Sequence, residues 1–232
     1  MAGEEYLGWP RQYIADFLNN EGVKKVVFVP YAGVNLSDES LEKSYDVYSE
    51  KVSSVFSRLG FEIVPVHKSG NPVEVIENAE AIAVGGGNTF HLVAQMHNTG
   101  IMEAIRKKAM DGTPYMGWSA GSNVACPTLK TTNDMPIIEP RSFNTLNLVP
   151  FQINPHYLDA NPEGHGGETR QQRIEEFLAI NREVAVAGLR EASLLYLEGK
   201  LLKLLGKRPM VLFRYGKKPE EFQPGADLSF LL

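Results

Sequence analysis

Apolar positions recur along this chain with two alternating periods, and the alternation predicts its architecture. Within residues 23–29, Val26, Val27, Phe28 and Val29 form an unbroken apolar run closed by Pro30, as in a strand buried on both faces. Over 41–59 the positions Leu41, Tyr45, Tyr48, Val52, Val55, Phe56 and Leu59 recur mostly every three or four residues, with Gly60 as the stop, which predicts an amphipathic helix. A strand over 61–66, a short helix over 73–79 and a buried strand over 81–84 complete a β-α-β-α-β series that runs into Gly85-Gly86-Gly87-Asn88. From Asn88 a helix carries Leu92, Val93 and Met96 on one face, a second helical piece runs from Gly100 to about Gly112, and 115–118 form another strand. A helix follows over 168–180. Such alternation predicts an α/β fold: a doubly wound, mostly parallel sheet with its site at the carboxyl ends of the strands. Towards the C-terminus 194–197, 200–205 and 210–215 are separated by Gly199 and by Gly206-Lys207-Arg208-Pro209, which predicts an antiparallel meander.

One pentapeptide adds chemistry to this frame. Gly117-Trp118-Ser119-Ala120-Gly121 follows the strand over 115–118, and G-x-S-x-G at a strand-to-helix turn is the spacing of a nucleophile elbow. The turn strains the serine backbone and needs tiny residues two before and two after it. A plain small-residue turn has the same spacing, so the surroundings must decide. Ser122, three positions on, lacks flanking glycines and reads as a helix N-terminal residue.

A nucleophilic serine needs a base, a group to orient it and donors for the oxyanion. Of the five histidines, His91 and His97 fall in a predicted helix, His67 ends a strand and His165 sits in a Gly-rich loop. His156 follows Asn154-Pro155 at the end of an apolar approach over 148–153, where proline imposes an extended backbone and presents a side chain at a strand end. A lone histidine at such a place is more often structural than catalytic. Gly85-Gly86-Gly87 lacks the G-x-G-x-x-G register and the Lys-Ser/Thr pair of a phosphate loop, so its bared N–H groups suit an oxyanion better than a nucleotide. The Gly87 and Ala120 N–H groups are the candidate donors.

Composition narrows the class. With 232 residues, 43% apolar and 22% charged, the chain suits one globular domain over 1–232, and its apolar runs are too short for a bilayer. The first twenty residues mix Glu4, Glu5, Arg11 and Asp16, without a basic then apolar leader. A lone cysteine, Cys126, excludes an internal disulfide and suits a reducing compartment, so the expected location is cytoplasmic and the sequon Asn35-Leu36-Ser37 carries no glycan. Net charge of −5 argues against a nucleic-acid partner. No cofactor or metal is expected.

Five motifs together resemble the α-aspartyl dipeptidase, or peptidase E, family: Val-Gly-Gly-Gly-Asn-Thr-Phe at 84–90, Gly-Trp-Ser-Ala-Gly at 117–121, Thr-Thr-Asn-Asp-Met-Pro at 131–136, Asn-Pro-His-Tyr at 154–157 and Glu-Gly-His-Gly-Gly-Glu-Thr-Arg at 163–170. The resemblance spans about Tyr6 to Gly188. It implies a fold like the class I glutamine amidotransferases and a serine hydrolase that removes an N-terminal aspartate from dipeptides. Ser119 then matches the nucleophile and His156 the base. Asp134 and Glu191 each match an acid considered for the triad, and the resemblance in fold leans to Glu191. Aspartate specificity needs a cation for the β-carboxylate, for which Arg170 is the candidate; Asn88 and Glu168 are further substrate-binding candidates, Glu168 or the unused acid facing the substrate ammonium.

Members of that family begin with an additional apolar strand, whereas this chain opens Met1-Ala2-Gly3-Glu4-Glu5-Tyr6. The resemblance therefore predicts a missing first strand, with exposed backbone groups weakening stability and activity. Three other classes remain. A glutaminase would need cysteine where Ser119 stands; an α/β-hydrolase esterase would carry its histidine nearer the C-terminus; and a catalytically dead binding protein would follow from the shortened start.

Overall fold

The computed structural model describes residues 6–161, 163–164 and 166–232. Met1–Glu5, where the expectation of a missing first strand falls, and His165 of the Gly-rich loop lie outside them. In chain order the elements are α1 (Arg11–Asn20), β1 (Lys25–Val29), α2 (Leu41–Arg58), β2 (Glu62–Pro65), α3 (Pro72–Glu77), β3 (Ala81–Val84), α4 (Thr89–Asn98), α5 (Ile101–Met110), β4 (Tyr115–Gly117) and α6 (Ala120–Val124). They continue with β5 (Gln152–Pro155), α7 (Arg170–Ile180), β6 (Val186–Leu189), β7 (Ser193–Glu198), β8 (Leu201–Gly206), β9 (Met210–Phe213) and β10 (Glu220–Phe222).

The first sheet has the order β2-β1-β3-β4, all parallel. The central strands β1 and β3 are covered on both faces, which explains their unbroken apolar runs. On one face Val27, Val29, Ile82 and Val84 pack with Leu92, Met96, Ile101 and Ile105 of α4 and α5. On the other, Val26, Phe28, Ala81 and Ala83 meet Tyr48, Val52 and Phe56 of α2. The period of two along β1 thus sorts its side chains between two cores, and full burial of each large one contributes roughly 1.5–3 kcal/mol. Ser40 caps α2 by accepting from the Lys43 N–H, and Thr169 with Gln172 forms a capping box on α7, which fixes where both helices start.

The second sheet has the order β10-β9-β6-β5, with β5 and β6 parallel and the other pairs antiparallel. The C-terminal strands are antiparallel as expected but do not form one continuous meander. β7 and β8 make a hairpin of their own, while β9 returns to pair with β6 and β10. Gly199 supplies the positive φ, 58°, for the two-residue hairpin turn. Three elements, α1, β6 and the three-residue β10, go unannounced by the sequence pattern. α1 has a single fully buried side chain, Leu18, and β6 is four buried residues including Gly188, too short for periodicity to separate strand from loop.

Candidate active site

Ser119 stands between the end of β4 and the start of α6, with φ 54° and ψ −112°. A non-glycine residue there is strained by about 1–3 kcal/mol and persists only where packing over-determines it. The two glycines show how. A Cβ on Gly117 would lie 2.3 Å from the Gly121 carbonyl oxygen, and one on Gly121 would lie 2.1 Å from that of Val84. Backbone therefore presses on backbone on both sides of the serine. Tyr115 Oη donates to the Gly121 carbonyl at 2.7 Å, and Ser122 Oγ donates to the Gly117 carbonyl at 3.0 Å, so Ser122 braces the turn inside α6.

The glycine loop after β3 lies against this turn. A Cβ on Gly86 would come within 2.7 Å of Ser119 Cβ, and one on Gly87, whose φ is 134°, would meet the Ala32 carbonyl oxygen at 2.1 Å. Asn88 N–H donates to that carbonyl at 2.9 Å, and Asn88 Oδ1 caps α4 by accepting from His91 N–H at 3.0 Å. Ala120 is the first residue of α6, so its N–H has no acceptor within the helix. Gly87 and Ser119 line one cavity of about 470 Å³, and Asn88 and His156 line it too.

His156 follows β5 with φ 54°, and Glu191 follows β6. The parallel register Pro155↔Leu189 carries both strands to the same level, and Tyr157 N–H donates to the Leu189 carbonyl at 2.8 Å. The Glu191 carboxylate accepts from His156 Nδ1, although the side chains are 51% and 55% exposed. With Nδ1–H held this way, Nε2 is the nitrogen left to accept a proton. Asp134 is occupied elsewhere. Its Oδ2 accepts from Thr89 N–H at 2.7 Å, Thr89 Oγ1 at 2.6 Å and Thr132 Oγ1 at 3.1 Å, at the N-terminus of α4 where a carboxylate is stabilised by the helix dipole.

Arg170 opens α7 and lines a second, smaller depression with Lys130, Thr132, Asn133 and Asn154. Burial first, and Arg173 second, pull its pKa below the ordinary guanidinium value, while the charge of Asp134 opposes them. Glu168 is exposed and pairs with Arg173 at 3.7 Å. Neither lines the cavity of Ser119.

Tyr6, Tyr48 and Lys51 are among the cavity residues that carry no signal in the sequence motifs. Tyr48 of α2 accepts from Trp118 Nε1 at 3.2 Å, bonds Tyr6 Oη at 3.0 Å and is tied to the Gly86 backbone. Burial raises the pKa of both tyrosines. Lys51, one turn on, sets Nζ 4.2 Å over the Tyr6 ring. Their spacing of three places them on one helix face, but Tyr48 satisfies the apolar stripe so well that it reads as core.

A strained serine at a strand-to-helix turn, a glycine loop against it and a histidine-carboxylate pair beside a parallel sheet have the arrangement of a nucleophile elbow. The model of peptidase family S51 matches residues 1–205, and the chain belongs to that family of peptidases. Peptidase E of a Nostoc species is 51% identical over 230 residues, covering 99% of this chain and 92% of the relative. Peptidase E of Streptomyces coelicolor is 49% identical, covering 90% and 82%. Among solved structures, a peptidase from an acI-B1 Actinobacterium shares the fold with a TM-score of 0.69, at 18% identity over 99% of this chain and 95% of that one. A putative peptidase E from Listeria monocytogenes does so at 0.58, with 21% identity over 92% of each. Among the described residues no helix is long and apolar enough to cross a membrane.

Proposed function

We propose that this peptidase hydrolyses dipeptides with an N-terminal aspartate through an acyl-enzyme on Ser119. The observation that carries the reading is the His156–Glu191 pair at the cavity that Ser119 also lines. Ser119 Oγ attacks the scissile carbonyl while His156 Nε2 takes its proton. The tetrahedral oxyanion forms against the Gly87 and Ala120 N–H groups, each worth roughly 100- to 1000-fold in rate. Collapse passes the proton from His156 to the leaving amine, and water, activated by the same histidine, releases the aspartate. Glu191 holds Nδ1–H and stabilises the imidazolium.

Asp134, bonded to Thr89 and Thr132, is read as holding its loop to α4 beside the glycine turn. Arg170 receives the β-carboxylate, Glu168 or the acid left out of the triad faces the substrate ammonium, and Asn88 contacts the substrate at the cavity wall. A reducing, cytoplasmic setting suits Cys126, which is fully buried and whose thiol burial pushes up to about 12.

Hydrolysis of Asp-Leu, Glu-Leu and Leu-Leu tests the reading. Asp-Leu is expected to be cleaved fastest, Glu-Leu to lose about 10- to 100-fold for its extra methylene, and Ser119→Ala to lose on the order of a millionfold in kcat. Equal rates on the three dipeptides would defeat the aspartate assignment, and no turnover by the wild type would favour a binding protein.

A further inference from the structure

The cavity shared by Ser119 and His156 has a charge pattern that the catalytic residues do not use. Among the described residues lining it, Lys51 is the one permanently charged side chain, and no carboxylate is present. Lys51 makes no ion pair among the described residues; its recorded partner is the Tyr6 ring, 4.2 Å below Nζ. Lys25 and Lys68 elsewhere on the surface do have carboxylate partners, Glu62 and Asp46. The ring has its own anchors, since Tyr6 Oη accepts from Trp118 Nε1 at 2.8 Å and bonds Tyr48 Oη at 3.0 Å. A cation seated over a fixed aromatic face keeps its ammonium free to take an anion.

Placement in the fold says which anion. Lys51 rises from α2, which covers β1 and β3. Arg170 rises from α7 beside Asn133 and Asn154, towards β5. Ser119, at the end of β4, shares its cavity with Lys51, whereas Arg170 lines the separate second depression. An Asp-Xaa dipeptide carries two carboxylates, one on the aspartate side chain and one at its C-terminus, on either side of the scissile bond. Arg170 answers the first and nothing in the proposed reaction answers the second. We propose that Lys51 receives the C-terminal carboxylate of the bound dipeptide and so limits substrates to two residues, because a longer peptide would place a neutral amide there and leave the ammonium without its charge partner.

This inference rests on the reading that the cavity binds dipeptides, and binding separates the two. Titration calorimetry with the Ser119→Ala protein, which needs no turnover, compares Asp-Leu with Asp-Leu-amide at physiological salt. The free acid is expected to bind about tenfold tighter than the amide, a charge-assisted contact partly open to solvent. In Ser119→Ala/Lys51→Met the ratio should fall to about one, and in Ser119→Ala/Lys51→Arg most of it should return. Lys51 is exposed, so neither change threatens the fold, and unchanged melting temperatures check this. An acid-to-amide ratio that survives Lys51→Met overturns the proposal. So does a Lys51→Met protein that loses preference for Asp-Leu over Leu-Leu instead, since Lys51 would then serve the β-carboxylate, and so does failure of the free acid Asp-Leu to bind. Equal binding of Asp-Leu and Leu-Leu with the acid preference intact would instead remove the aspartate reading and leave the role of Lys51 standing.

Discussion

The two halves of the candidate site are built by opposite means. Around Ser119 the backbone is pressed from three sides, by Gly121, by Val84 and by the glycine loop at Gly86, and the serine is held at a φ of 54°. His156 and Glu191 stand at the ends of β5 and β6 with half of each side chain exposed, joined by one hydrogen bond. The nucleophile is thus positioned by packing and the base by pairing. Packing tolerates no added atom, whereas pairing depends on a chemical identity and leaves the fold alone. Substitutions in the first half should therefore be read in stability, and those in the second in rate.

The largest effect expected on stability is that of Gly121→Ala. Its Cβ would fall 2.1 Å from the Val84 carbonyl oxygen, an overlap with backbone that cannot rotate away. A cost of about 3 kcal/mol or more, roughly 10 °C in Tm for a chain of this size, should appear in a thermal melt. A Tm unchanged within a degree would show that the elbow is not held by packing.

Arg170→Ala should leave the melt nearly unaltered, because Arg170 lies half-buried at the start of α7. Its effect belongs to specificity: the kcat/KM preference for Asp-Leu over Leu-Leu should drop by about 10- to 100-fold. Undiminished preference would move the β-carboxylate contact elsewhere.

The smallest effect lies far from the cavity and sharpens the contrast by its indifference to rate. The Lys68 ammonium first, and His67 second, hold the Asp46 carboxyl down at about 2. A carboxyl depressed below its ordinary value of about 4 adds stability at pH above 4, and that stability is lost as pH falls towards 2. Asp46→Asn should flatten the urea midpoint over that acid window while peptidase rates stay the same. An equally steep acid limb in the variant would assign the loss to other groups.

The sequence revealed the halves unequally for the same reason. Gly117 and Gly121 announce the elbow because a backbone requirement is local, written at fixed offsets from Ser119. The alternation of buried strands and amphipathic helices made the first sheet legible in the same way. The pairing of His156 with Glu191 spans 35 residues and depends on β5 running parallel to β6, a strand of four residues that no period distinguishes. Asp134 has the chemistry to serve the histidine but sits where Thr89 and Thr132 complete its hydrogen bonds, and only the folded loop reveals that. Tyr48 and Lys51 were illegible for another reason: both fit the helical pattern of α2, and only the glycine loop packed against Tyr48 marks their face as a cavity wall.

The most direct test of a paired base is the rate on Asp-Leu for Glu191→Gln against Asp134→Asn, each compared with the wild type at matched Tm. Glu191→Gln should lower kcat about 10,000-fold, since an amide holds the imidazole in the wrong tautomer, and Asp134→Asn should lower it far less. The larger fall in Asp134→Asn, or losses below about tenfold in both, would contradict the pairing of His156 with Glu191 as the catalytic one.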